Sequence, residues 1–218
     1  MRPIVYVVDD DPDVLKALTR ALRAAGHDVV PSISGEEFLE VFRADEPGCL
    51  VLDLSLRALS GADIQTELAR RGFAPLIVYV SGAADIASAV AIMKRGAVDM
   101  LTKPVDLQEL LEAVLKALDR DASVREKARQ HDLARRRLHL LTARESEVLH
   151  HVLDGRSNQF IANVFDITLK TVKVHREHLR SKLGVRSVAE MAHLAIEGEF
   201  SSMTTPPRDS RCGRRRAR

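Results

Sequence analysis

Three apolar runs in the first half of the chain each lead into charged residues, and that repeated junction restricts what the chain can fold into. Residues 4–8 lead into Asp9, Asp10 and Asp11, residues 50–52 into Asp53, and residues 98–102 into Lys103-Pro104. Short apolar runs bounded by turn residues predict buried strands. In an open α/β sheet the ligand site lies outside the carboxyl ends of the strands. The sequence therefore predicts several carboxylates and one ammonium gathered at one sheet edge. Such an edge suits a divalent cation and an anionic group.

Between these runs the pattern turns helical. Asp11-Pro12-Asp13 opens a helix with an apolar stripe of Val14, Leu15, Leu18, Ala21 and Leu22, and Gly26 ends it. Residues 28–30 and 76–80 read as two further strands. Helices are expected from Ser34-Gly35, over 62–70, over 85–95 and over 107–118. Five strand–helix repeats predict a parallel sheet with helices on both faces. Right-handed crossovers narrow residues 1–118 to an α/β, flavodoxin-like, doubly wound five-stranded parallel sheet.

Residues 119–137 hold 11 charged residues and neither Gly nor Pro, which reads as a charged helical linker, an exposed continuation of the last helix; the alternative is a packing element that transmits a signal between the domains. From Leu138 to residue 199 the pattern is all-α. Thr142 and Glu145 have capping-box spacing, Gly155 and Gly184 are helix stops, and Asp166-Ile167-Thr168 is a turn followed by a new cap. Two short helices joined by a tight turn, the second rich in cations, predict a helix-turn-helix domain. Residues 200–218 read as a basic, disordered tail.

Charge separates the two halves. Residues 1–118 carry 12 Lys+Arg against 18 Asp+Glu, a balance of −6, whereas residues 119–218 carry 21 against 13, a balance of +8. The basic half is expected to face a polyanion. No apolar run approaches the ~20 residues of a membrane span, and the N-terminus lacks a secretory pattern. Cys49 and Cys212 are expected as free thiols in a reducing cytoplasm.

Carboxylates crowded at one point repel unless a cation joins them. A carboxylate beside Mg²⁺ can act as a nucleophile toward phosphorus, and a lysine can stabilise the moving charge. The motifs Val7-Val8-Asp9-Asp10-Asp11, Leu50-Val51-Leu52-Asp53, Ser60-Gly61, Val80-Ser81-Gly82 and Leu101-Thr102-Lys103-Pro104 together resemble the receiver domain of two-component response regulators. The resemblance implies Asp53 as phosphoacceptor. It implies Mg²⁺ held by Asp9, Asp10, Asp53 and the Ser55 backbone carbonyl, with Ser81 as switch hydroxyl and Lys103 as phosphate-binding lysine. Two positions depart from the family pattern. Arg57 stands where a proline is frequent, and Met100 where an aromatic residue takes part in the switch.

Leu141-Thr142-Ala143-Arg144-Glu145, Thr171-Val172-Lys173-Val174-His175 and Lys182-Leu183-Gly184-Val185 resemble the LuxR-type helix-turn-helix domain. The order receiver, linker, LuxR-type domain is similar to that of the NarL/FixJ response regulators. On the helix from Leu169, positions 170, 173, 177 and 180 share one face, with Val172, Leu179 and Leu183 toward the core. By resemblance Lys173 and Val174 meet base edges, with Glu177 beside them; Glu177 reads equally as an ion-pair partner of Lys173 or Arg180. Lys170 adds charge to the face, and Thr171, His175, Arg180 and Lys182 suit phosphates or packing.

The resemblance implies a cytoplasmic DNA-binding transcriptional regulator that is not an enzyme in its own right. Its implied partners are double-stranded DNA, a histidine kinase, a second copy of itself on phosphorylation and RNA polymerase, with no membrane. One alternative is a phosphate-independent transcription factor whose receiver only dimerises. Another is a Mg²⁺-dependent phosphohydrolase, which commonly has a second acid two residues after the nucleophile, where this chain has Ser55.

Overall fold

The computed structural model describes residues 2–82 and 86–200; the tail from residue 201, with Cys212, and the segment 83–85 lie outside the described residues. The chain divides into two compact units, Met1–Glu126 and Lys127–Arg218.

The first unit alternates strand and helix: β1 (Ile4–Val8), α1 (Pro12–Ala24), β2 (Asp28–Ser32), α2 (Gly35–Val41), β3 (Gly48–Asp53), α3 (Gly61–Arg70), β4 (Leu76–Ser81), α4 (Ile86–Lys94), β5 (Asp99–Thr102) and α5 (Leu107–His139). The strands form one parallel sheet in the order β2-β1-β3-β4-β5, a doubly wound order. Alternate strand residues feed opposite faces. Val5, Val7, Val51, Val78 and Val80 pack with Leu18 and Leu22 of α1 and Leu110 and Val114 of α5. Tyr6, Val8, Leu50, Leu52 and Tyr79 pack with Phe38 of α2 and Ile64 and Leu68 of α3. Both faces are covered, so the central strands β1, β3 and β4 read as nearly continuous apolar runs rather than alternating ones.

β2 and β3 are longer than the apolar runs that predict them. Register pairing sets Val8 against Ser32 and Ile4 against Gly48. The ladder needs only backbone groups, so it continues past the last apolar side chain.

α5 carries the helix through residues 119–137, most of which are exposed, but several of its side chains do more than face solvent. It runs unbroken from Leu107 to His139, and both of its later segments are built into cores or loops. Asp121 accepts hydrogen bonds from the Gly48 amide (3.0 Å) and from Arg125 Nε (2.8 Å). The Arg125 guanidinium donates to the carbonyls of Ala44 (3.1 Å), Asp45 (3.0 Å) and Glu46, in the loop before β3. Further along, Ala134 and Leu138 are buried in the core of the second unit. A charge count cannot separate solvated side chains from those that satisfy loop backbone groups.

The second unit comprises α6 (Ala143–Leu153), α7 (Asn158–Phe165), α8 (Leu169–Leu183) and α9 (Val188–Glu197), around Leu149, Ile161, Val172, Leu179, Leu183 and Met191. Thr142 and Glu145 cap α6 reciprocally, while Ser157, Thr168 and Ser187 cap the following helices. Asp166 takes a left-handed conformation, φ 52°, between α7 and α8; its short polar side chain tolerates that region better than most. Phe200, placed by sequence at the start of the tail, is buried in this core.

Candidate functional site

The parallel register brings Asp9, Asp53 and Ser81 to one sheet edge. Asp53 ends β3 opposite Val80, and Ser81 ends β4 opposite Thr102. The Lys103 amide donates to the Ser81 carbonyl at 2.8 Å, fixing where the lysine leaves β5. α3 starts hard against this edge. A Cβ on Gly61 would meet the Asp53 carbonyl oxygen at 2.8 Å and the Tyr79 ring at 3.0 Å, so glycine is required by close approach.

Lys103 Nζ lies 2.7 Å from Asp9 Oδ2 and 2.8 Å from Asp53 Oδ2. The two carboxylate side chains are 1% and 5% exposed, and the lysine 22%. Burial pushes the Asp9 carboxyl above its usual 3.8, against hydrogen bonds from Lys103 and the Asp11 amide, and the Asp53 charge adds to the rise. Burial opposes the Lys103 ammonium, but its bonds to Asp53 and Asp9 outweigh that and hold its pKa above 10.5. Asp11 is diverted to capping α1, accepting from the amides of Asp13 and Val14.

Oxygens of Asp9, Asp10 and Asp53 lie within 4.8 Å of one another. An all-oxygen set with Asp10 partly open suits a hard cation such as Mg²⁺, which retains waters. Ser55 donates its amide to Asp53 Oδ1 at 3.0 Å, keeping its carbonyl in the loop directly after the carboxylate. The Ser81 hydroxyl is buried with no partner among the described residues. A buried donor left unpaired calls for a ligand oxygen. Met100 is partly buried against the Tyr6–Phe38 cluster. Arg57, noted in the sequence only as a departure, has its Nε 2.9 Å from Asp10 Oδ2. Cys49 is buried and free, its thiol pushed up to about 12 by burial and by Asp121.

In the second unit α7, the Asp166 turn and α8 form a helix-turn-helix. Val172, Leu179 and Leu183 face the core, leaving Lys170, Lys173, Val174 and Glu177 exposed. Thr171, His175 and Arg180 are half-buried, and Thr171 shares a hydrogen bond with the Thr168 cap at 2.9 Å. Glu177 pairs with Arg180 at 3.3 Å. Lys182 turns away from the exposed face and pairs with buried Glu145 at 2.6 Å. Burial disfavours that carboxylate, but Lys182 and Thr142 hydrogen bonds hold it below its usual 4.5. Sequence identified Glu145 as a cap but gave no sign of its ion pair 37 residues away. No helix among the described residues is long and apolar enough to cross a membrane.

The family model described as the response regulator receiver domain matches residues 5–115. The model of bacterial regulatory proteins, luxR family, matches residues 139–195. Nodulation protein W of Bradyrhizobium diazoefficiens is 39% identical over 194 residues, covering 89% of this chain and 86% of that protein. Transcriptional regulatory protein FixJ of Azorhizobium caulinodans is 33% identical over 195 residues, covering 88% and 91%. Among solved structures, the response regulator StyR superposes with a TM-score of 0.83 at 37% identity, covering 90% of this chain and all of that one.

Proposed function

Because the chain belongs to the NarL/FixJ family of response regulators and is a phosphorylation-controlled transcriptional regulator of a two-component system, we propose that Asp53 is its phosphoacceptor and the exposed face of α8 its base-reading surface. The observation that carries this reading is the lysine shared by two buried carboxylates beside an unpartnered buried serine.

Asp9 and Asp10 would hold Mg²⁺ together with Asp53 and the Ser55 carbonyl. The cation would supply neutralisation of the carboxylates and of the incoming phosphoryl oxygens. An Asp53 carboxylate oxygen attacks the phosphorus of a kinase phosphohistidine. The P–O bond forms as the P–N bond breaks, and the imidazole leaves with the electron pair. Lys103 exchanges its Asp53 contact for a phosphoryl oxygen, and the Ser81 hydroxyl donates to another. Met100 gives way as Ser81 moves. Reorganisation of that edge drives pairing of receivers in the cytoplasm. Two second units then engage paired half-sites on DNA and meet RNA polymerase there. Lys173 and Val174 read bases, Glu177 tunes the choice, and Lys170, Thr171, His175 and Arg180 position the helix on phosphates. Lys182 serves packing. The units run 1–126 and 127–218, with α5 contributing residues to both.

Incubation with acetyl phosphate and Mg²⁺, read by intact mass and sedimentation, tests the assignment. Wild type gains one phosphoryl group and dimerises, and Asp53→Asn does neither. Full labelling of Asp53→Asn would reject the site. An existing dimer that takes no phosphoryl would instead favour a phosphate-independent factor, and turnover of phosphate esters a phosphohydrolase.

A further inference from the structure

Each of the three clustered carboxylates has a protein cation: Lys103 serves Asp9 and Asp53, and Arg57 serves Asp10. The two cations differ in kind. Lys103 is held among buried groups, whereas Arg57 is 85% exposed and its partner Asp10 21%. An arginine in that position is free to leave, because water can take over its hydrogen bonds at little cost. It also has somewhere to go. A cleft of about 270 Å³ adjoins the ion pair, lined by Asp10, Ser34, Glu36, Leu56, Arg57 and Leu59, and Glu36 offers a second carboxylate within it.

Resting on the reading of Asp9, Asp10 and Asp53 as a Mg²⁺ site, we infer that Arg57 is a resident competitor for the cation at Asp10, so that metal loading requires its displacement. Charge sets the consequence. Three carboxylates and two protein cations leave the resting cluster at −1, against −2 without Arg57. A divalent cation is drawn less strongly to the arginine-paired cluster and must also break the ion pair. A phosphoryl group brings oxygens that the displaced guanidinium can pair with in place of Asp10, so the metal then meets less opposition from Arg57. Arg57 thus suppresses metal binding at the idle site and adds to the coupling between metal and phosphoryl.

The test is calorimetric titration of the full chain with MgCl₂ at low salt, comparing wild type with Arg57→Ala, Arg57→Lys and Arg71→Ala. Arg71 pairs with Glu67 at the far end of α3 and controls for net charge alone. An exposed ion pair of ordinary strength corresponds to tightening by roughly two- to fivefold in Arg57→Ala. Arg57→Lys should stay near wild type, Arg71→Ala should be unchanged, and the gain should fade with added salt or with the phosphoryl mimic beryllium fluoride. Equal affinity in wild type and Arg57→Ala, or an equal gain in Arg71→Ala, overturns the inference while leaving the metal site standing. Absence of Mg²⁺ binding in every variant overturns the site and the inference together.

Discussion

Replacing Lys103 by methionine removes the ammonium and keeps the side-chain volume, so it isolates what one positive charge does between two buried carboxylates. In the wild type Nζ stands 2.7 and 2.8 Å from oxygens of Asp9 and Asp53. Hydrogen bonds to charged groups contribute about 1.5–3 kcal/mol each, and breaking a fully buried pair costs roughly 3–5 kcal/mol. The lysine is partly exposed, and Asp9, whose pKa is raised, can take up a proton, so the expected loss at pH 7 is about 3 kcal/mol. The pH dependence has a definite sign. Lys103 has a raised pKa when folded, so its contribution is complete below 10.5 and disappears only as the pH climbs through the raised value. Asp9 is also raised, so the folded state holds its proton more tightly than the unfolded chain. The methionine variant should therefore recover stability on acidification, as protonation of Asp9 relieves the repulsion. Mg²⁺ at pH 7 should restore part of the loss by binding the same oxygens. The chain contains two tyrosines and no tryptophan. Tyr6 and Tyr79 both lie in the first unit, so urea denaturation followed by tyrosine emission reports that unit alone. A loss below about 1 kcal/mol, or one indifferent to both pH and Mg²⁺, would refute the reasoning.

Two further outcomes are expected. Lys173→Ala should weaken specific DNA binding by about 1–3 kcal/mol if the side chain meets a base; fluorescence anisotropy with cognate and altered sites checks this, and an unchanged preference removes Lys173 from the readout. Glu145→Gln should cost about 1–3 kcal/mol at pH 7. Its lowered carboxyl supplies stability above pH 4.5 that is lost as the pH falls through the lowered value, so the variant's thermal unfolding, followed by circular dichroism, should depend less on pH below 4.5 than that of wild type.

What the sequence made legible follows the periodicities that burial imposes. β1, β4 and β5 lie within a residue of their apolar runs, because a strand covered on both faces announces itself. The core face of α8 follows from the spacing of Val172, Leu179 and Leu183. Asp9, Asp53, Ser81 and Lys103 converge at one edge because parallel strands end together. What escaped has no period. The Arg57–Asp10 pair joins the loop after β1 to the loop after β3, and Lys182 reaches back to Glu145; long flexible side chains form such pairs wherever tertiary structure brings them. Asp121 and Arg125 carry a helical i,i+4 signal, but that spacing also suits a solvated pair, and nothing in it points to the loop before β3 or to the Gly48 amide.

The shared helix decides where the protein can be cut. A receiver fragment ending at residue 118 would lose both Asp121 and Arg125, stripping the Gly48 amide and the carbonyls of Ala44, Asp45 and Glu46 of their partners. A DNA-binding fragment beginning at residue 138 would lack Ala134 and would start at the very residue, Leu138, that its core needs held in a helix. Dissection belongs near Glu126, in mid-helix, where a loop-seeking rule for domain boundaries would never place it.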